Sequence, residues 1–122
     1  MPKGEIFVER RRHKRASKKL KVIYKIISNL DSERPGWEPP KKTVDSADIS
    51  IMGIQLLCDE ILNPDQMLRL DIVLEDEHEP IATFAEVRWS RFDDSIKKYR
   101  AGMQFLVIKE DHINIIKKMT GD

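Results

Sequence analysis

The chain has 122 residues, 40% hydrophobic and 35% charged, which suits one solvated domain with a modest core and excludes a disordered or fibrous chain. Its single cysteine, Cys58, excludes an intramolecular disulfide or a thiolate metal cluster within one chain and makes a reducing compartment the expectation. The net charge of +1 hides an asymmetry: residues 1–25 carry ten Lys or Arg against Glu5 and Glu9, a surplus of eight, which leaves the remaining 97 residues at −7. A cationic block on an acidic body attracts a small anion more readily than it attracts duplex DNA. No apolar run approaches the ~20 residues of a membrane span, so the sequence predicts a soluble, cytoplasmic protein without membrane insertion.

Met1 to Ser17 is dense in charge, has no usable periodicity and contains Pro2 and Gly4, which predicts an arm (1–17) ahead of a folded body (18–122). Leu20, Val22, Tyr24 and Ile26 alternate with lysines, the period-two pattern of a first strand. Asn29 to Pro40 gathers Asp31, Ser32, Pro35, Gly36, Pro39 and Pro40, a long loop in which Trp37 serves either a partner or the barrel wall. Thr43 to Ile49 and Ile54 to Cys58 read as strands two and three on either side of a turn at Asp48–Gly53. A fourth strand runs from Leu68 to Leu74, after the Asn63-Pro64-Asp65 turn. The fifth places Ile81, Thr83, Ala85, Val87 and Trp89 on one face, and the sixth does the same with Tyr99, Ala101, Met103, Phe105 and Val107.

The period then changes. Ile113, Ile116 and Met119 recur every three residues, with Glu110 and Asp111 first, Lys117 and Lys118 last, and Gly121 at the stop, which predicts one C-terminal helix covering the barrel or a partner. Six short strands and a helix predict a small antiparallel β-barrel.

Two clusters carry chemistry. Arg10, Arg11 and Arg15 lie in the cationic arm, and a guanidinium fork can take phosphate oxygens or guanine O6 and N7 two bonds at a time, which lysine cannot. Asp48 can accept from guanine N1 and N2 donors, Ser50 offers a hydroxyl to ligand or backbone, and Gly53 permits a positive φ or a close approach. Simple alternation places Asp48 and Ser50 on one side of the strand. Each cluster also has a plain reading: Asp48–Gly53 as an Asx-type turn, and the arginines as a solvated or generic polyanion-binding run.

Taken together, Arg11 and Arg15 in RxxxR and Asp48, Ser50 and Gly53 in DxSxxG resemble the two-part signature of the PilZ domain, over about Glu9 to Met119. The Val87-Arg88-Trp89 and Gly102-Met103-Gln104-Phe105 strands share in the resemblance, and no motif position departs from the pattern. The resemblance implies a six-stranded antiparallel PilZ-type β-barrel with a C-terminal helix. It also implies a bacterial receptor for cyclic di-GMP, gripped between the arm arginines and the Asp, Ser and Gly of the second motif, with no further cofactor. Arg10 either stacks on an exposed guanine, favouring two stacked ligands, or faces water. An adaptor role follows, in which ligand orders the arm and alters affinity for an unidentified protein partner.

Enzymatic signatures are absent from the sequence: there is no GxxxxGK or GxSxG, and His13, His78 and His112 are scattered. Glu75, Asp76, Glu77 and Glu79 read as a solvated hairpin tip. Two other functions remain as alternatives. One is a PilZ-like protein-interaction module without nucleotide, and the other a single-stranded nucleic-acid binder, which needs an exposed aromatic platform. With the aromatics read as mostly inward, the sequence offers little to build that platform.

Overall fold

Alternation along Lys21–Ile27 puts Val22 and Tyr24 in the interior and lysines in water, and the same logic repeated six times closes a barrel. The computed structural model describes residues 14–27, 40–74 and 79–121. Its strands are β1 (Lys21–Ile27), β2 (Lys42–Ile49), β3 (Gly53–Cys58), β4 (Met67–Val73), β5 (Ile81–Asp93) and β6 (Lys98–Val107), followed by helix α1 (Glu110–Thr120). All neighbours are antiparallel in the closed order β1-β2-β3-β6-β5-β4. Closure leaves no open sheet edge, so the exterior of the barrel wall is free to carry function. No helix among the described residues is long and apolar enough to cross a membrane.

The interior is filled by aliphatic side chains from every strand, with Leu56, Leu70, Ile72, Ile81 and Val87 fully buried. Ile116 of α1 completes this core while Ile115 and Met119 pack against it, so the helix covers the barrel itself. Lys109 at the N-cap offers no side-chain bond, but Glu110 and Asp111 in the first turn and Lys117 and Lys118 in the last complement the helix dipole. Gly121 ends the helix at φ 74°, where its N–H donates to the Lys117 carbonyl. Glycine takes this left-handed cap without strain.

Cys58 is wholly buried, and burial followed by the nearby Glu60 and Asp59 charges pushes its thiol up to about 12, which leaves it protonated and unreactive. Beside it, the Tyr24 hydroxyl donates to Glu60 Oε1 at 2.9 Å and Lys42 binds Glu60 Oε2 at 2.7 Å. This polar clasp joins the loop after β3 to β1 and β2.

One aromatic position departs from simple alternation. Trp89 is 38% exposed although Ile81, Thr83, Ala85 and Val87, of the same parity, are buried, and Phe84 and Phe92 are exposed as well. The register explains Trp89: Val87 faces Met103 and Trp89 faces Gly102, so Arg88 is an extra residue that turns the strand over. Such a bulge re-aims every later side chain. Val107 lies at the end of β6 and is exposed too. The loop holding Trp37 and the 75–78 tip lie outside the described residues.

Candidate functional site

Residues 14–20 run alongside β2 before entering β1. Ala16 and Ile49 exchange backbone bonds at 2.9 and 3.0 Å, an isolated antiparallel bridge. Further on, the buried Ser46 hydroxyl donates to the Lys18 carbonyl at 2.5 Å and accepts the Leu20 N–H at 2.9 Å. Lys14 Nζ donates to the Gly121 carbonyl at 3.3 Å. The end of the sequence-predicted arm is therefore fastened to the barrel, and this fixes where Arg15 emerges. Arg10 and Arg11 lie outside the described residues.

β2 carries a bulge of its own. Ser46 faces Leu56 and Asp48 faces Gln55, which leaves Ala47 as the extra residue. Without it, Asp48 would share the inward face of Ser46; with it, Asp48 turns outward and Ile49 turns into the core. The outward carboxylate meets Arg15, whose Nη1 lies 2.6 Å from Asp48 Oδ1, with side-chain exposures of 53% and 24%. The second oxygen, Oδ2, accepts from Gln55 Nε2 at 3.4 Å. Arginine and aspartate from the two sequence motifs thus meet as an ion pair.

Ser50 behaves differently. β2 ends at Ile49, and Ser50 is 1% exposed, with its hydroxyl accepting the Met52 N–H at 3.2 Å and its own N–H donating to the Gly53 carbonyl at 2.9 Å. It holds the β2–β3 turn and does not stand beside Asp48 on the exposed side. Gly53 has no positive φ; its requirement is the close approach of β6, since an added Cβ would collide with the Met103 carbonyl oxygen. Of the two roles the sequence left open for this glycine, close packing is the one adopted, against backbone.

Between these groups lies an open groove of about 250 Å3 lined by Arg15, Met52, Gly53, Gln55, Arg88, Trp89, Gly102 and Gln104, with Ile54 and Met103 beneath. Trp89 lies across Gly102 so closely that a Cβ there would enter the indole ring. The glycine makes the seat and the Arg88 bulge turns the tryptophan into it. Arg91 stands over the Trp89 ring at 5.3 Å, and Arg88 pairs with Glu86 at 2.8 Å. The groove thus offers a cation at one end, a carboxylate beside it, amides along the floor and an aromatic wall.

Motif reading missed Gln55, Arg88, Trp89 and Gln104 as lining residues. The available clue was the pairing of a large aromatic with a glycine on adjacent strands. Alternation pointed the other way for Trp89 because bulges leave no mark in a period-two pattern.

Beyond the groove, Arg100 Nη1 donates to Gln55 Oε1 at 2.8 Å and Arg100 Nε to Asp93 Oδ2 at 2.6 Å. Asp93 also accepts from the Ser95 hydroxyl and N–H, and these bonds, with the Arg100 guanidinium, hold its carboxyl down at about 2.

Comparison with known proteins agrees with this architecture. The family model for the PilZ domain matches residues 9–121. No curated protein sequence matches the chain. Among solved structures, the Bacillus subtilis inhibitor of motility MotI (DgrA) superposes with a TM-score of 0.69 at 24% identity, covering 88% of this chain and 48% of that one. The chain therefore spans about half the length of MotI. The PilZ domain of YcgR from Escherichia coli, solved with c-di-GMP, superposes with a TM-score of 0.62 at 12% identity, covering 92% of this chain and 89% of that one. At these identities the likeness establishes the fold.

Proposed function

Since the chain belongs to the PilZ domain family, we propose that it is a non-enzymatic receptor for cyclic di-GMP, which it takes up in the groove beneath Arg15. The observation that carries this reading is the Arg15–Asp48 pair at the mouth of a groove walled by Trp89. A ligand with phosphates and guanine rings presents both partners that the pair lacks. The Arg15 fork can leave the carboxylate for phosphate oxygens or the guanine O6 and N7 edge, while Asp48 accepts from guanine N1 and N2. One ligand replaces one internal bond by several charge-assisted ones. Trp89 supplies the aromatic wall, on which a base stacks by displacing the Arg91 guanidinium from over the ring. The neighbouring YcgR domain bound to c-di-GMP supports the same ligand class.

Arg10 and Arg11 complete the site from the arm. In this reading ligand binding draws the arginine arm across the groove, and the rearranged surface changes affinity for a protein partner in the cytoplasm. Ordering the arm costs conformational entropy that the phosphate contacts must offset. Ser50 and Gly53 serve the site by holding the turn that presents Asp48.

The exposed Trp89, Phe92 and Phe84 restore part of the aromatic surface that a single-stranded nucleic-acid binder requires. The −7 balance of residues 26–122 opposes a long polyanion on that surface.

Guanine reading by Asp48 gives a direct test. Asp48→Ala is expected to weaken cyclic di-GMP by about ten- to a hundredfold, the loss of charge-assisted bonds of about 1.5 to 3 kcal/mol, while changing cyclic di-AMP binding little. Isothermal titration with both dinucleotides reads this out. A wild-type protein that binds the two equally well would refute guanine reading by this carboxylate.

A further inference from the structure

One chain of hydrogen bonds joins four strands, β5, β6, β3 and β2, on the exterior of the barrel. From the end of β5 it runs Asp93 to Arg100 at 2.6 Å, Arg100 to Gln55 at 2.8 Å, Gln55 to Asp48 at 3.4 Å, and Asp48 to Arg15 at 2.6 Å. Its chemistry has a direction. A guanidinium has donors only, so the group that Arg100 meets on Gln55 must be the carbonyl oxygen. The amide is thereby held with its NH2 toward Asp48, the orientation that the acceptor-only carboxylate also favours. Asp93 fixes Arg100 in turn, since its Oδ1 is occupied by the Ser95 hydroxyl and N–H while Oδ2 takes Nε.

We propose that Gln55 and Arg100 are positioning residues for Asp48: they clamp its Oδ2, so that Oδ1 is the oxygen exchanged between Arg15 and an incoming guanine edge. This rests on the cyclic di-GMP reading of the groove and deepens it. Gln55 lines the groove, whereas Arg100 is not among the lining residues and acts only through the amide. Neither residue belongs to the two motifs. Without the clamp, the Asp48 carboxylate can rotate to give both oxygens to Arg15, the bidentate arrangement that arginine favours and that leaves none for guanine. The clamp therefore keeps the ion pair openable.

A double-mutant cycle measured by titration calorimetry with cyclic di-GMP separates this role from a general structural one. Arg100→Met, which keeps an apolar stem in place, is expected to weaken binding roughly tenfold in the native background and by less than about twofold in the Asp48→Ala background. Equal losses in both backgrounds, or no loss in the native one, would overturn the proposal. A second readout needs no ligand: the side-chain amide resonances of Gln55 in 15N spectra are expected to shift in Arg100→Met and again in Asp48→Ala. Resonances unmoved by either change contradict the clamp. If the wild-type protein fails to bind cyclic di-GMP at all, the ligand reading falls, and the amide spectra still decide whether the clamp exists.

Discussion

Gly53→Ala is expected to lower the thermal midpoint by roughly 10 °C, the equivalent of about 3 kcal/mol for a domain of this size. The cause lies in β6. A Cβ at residue 53 would run into the Met103 carbonyl oxygen, and because that atom is backbone it cannot rotate away. β3 and β6 would have to part where Gly53 pairs with Gln104, at the floor of the groove. The same change should therefore weaken ligand binding. Circular dichroism melts measure the first effect, and a midpoint within about 2 °C of wild type would show that the two strands are not held as closely as the structure has them.

Arg15→Ala should do the reverse, leaving stability almost untouched while removing affinity. The Arg15–Asp48 pair is solvent-accessible, with exposures of 53% and 24%, and such pairs contribute about 0 to 1 kcal/mol to folding. Its midpoint is expected to move by no more than a few degrees. Against cyclic di-GMP, however, the lost guanidinium contact should cost about 1.5 to 3 kcal/mol, ten- to a hundredfold or more in Kd. Paired melts and titrations separate these quantities. Unchanged affinity in Arg15→Ala would remove Arg15 from the site.

The contrast between these two residues shows how the site is built. Gly53, Ser50 and Gly102 spend their chemistry on geometry: two glycines allow close approaches and one serine ties a turn. Arg15 and Trp89 then line the groove, and Asp48 stands beside it, paired with Arg15. Each side of the frame depends on a bulge. Ala47 turns Asp48 outward and Arg88 turns Trp89 outward, so the same device supplies the carboxylate and the aromatic wall.

The strands and the helix were legible in the sequence because their physics is periodic. Val22 and Tyr24, Leu68, Leu70 and Ile72, and the Ile116 stripe all fall where alternation or helical spacing places them. The β2–β3 turn was legible through its Ser and Gly, and the helix stop through Gly121. What escaped was everything that depends on register. One inserted residue reverses a strand's faces, and no local property of Ala47 or Arg88 announces the insertion. For that reason Trp89 was expected inward; Asp48 and Ser50 were expected side by side because alternation does not show that β2 ends at Ile49, and Gln55 passed as a polar residue in a strand. The Arg100–Gln55 clamp needs strands 45 residues apart in the chain to be neighbours, which only the closed barrel order provides.

The central claim is that cyclic di-GMP binds in the groove between Arg15, Asp48 and Trp89. Two-dimensional 15N spectra of the intact protein, followed while cyclic di-GMP is added, test it most directly. The account predicts saturable shifts of the Trp89 indole N–H and the Gln55 side-chain amide with a common Kd. Resonances that stay in place up to about 1 mM ligand, where even weak specific binding would register, would contradict it.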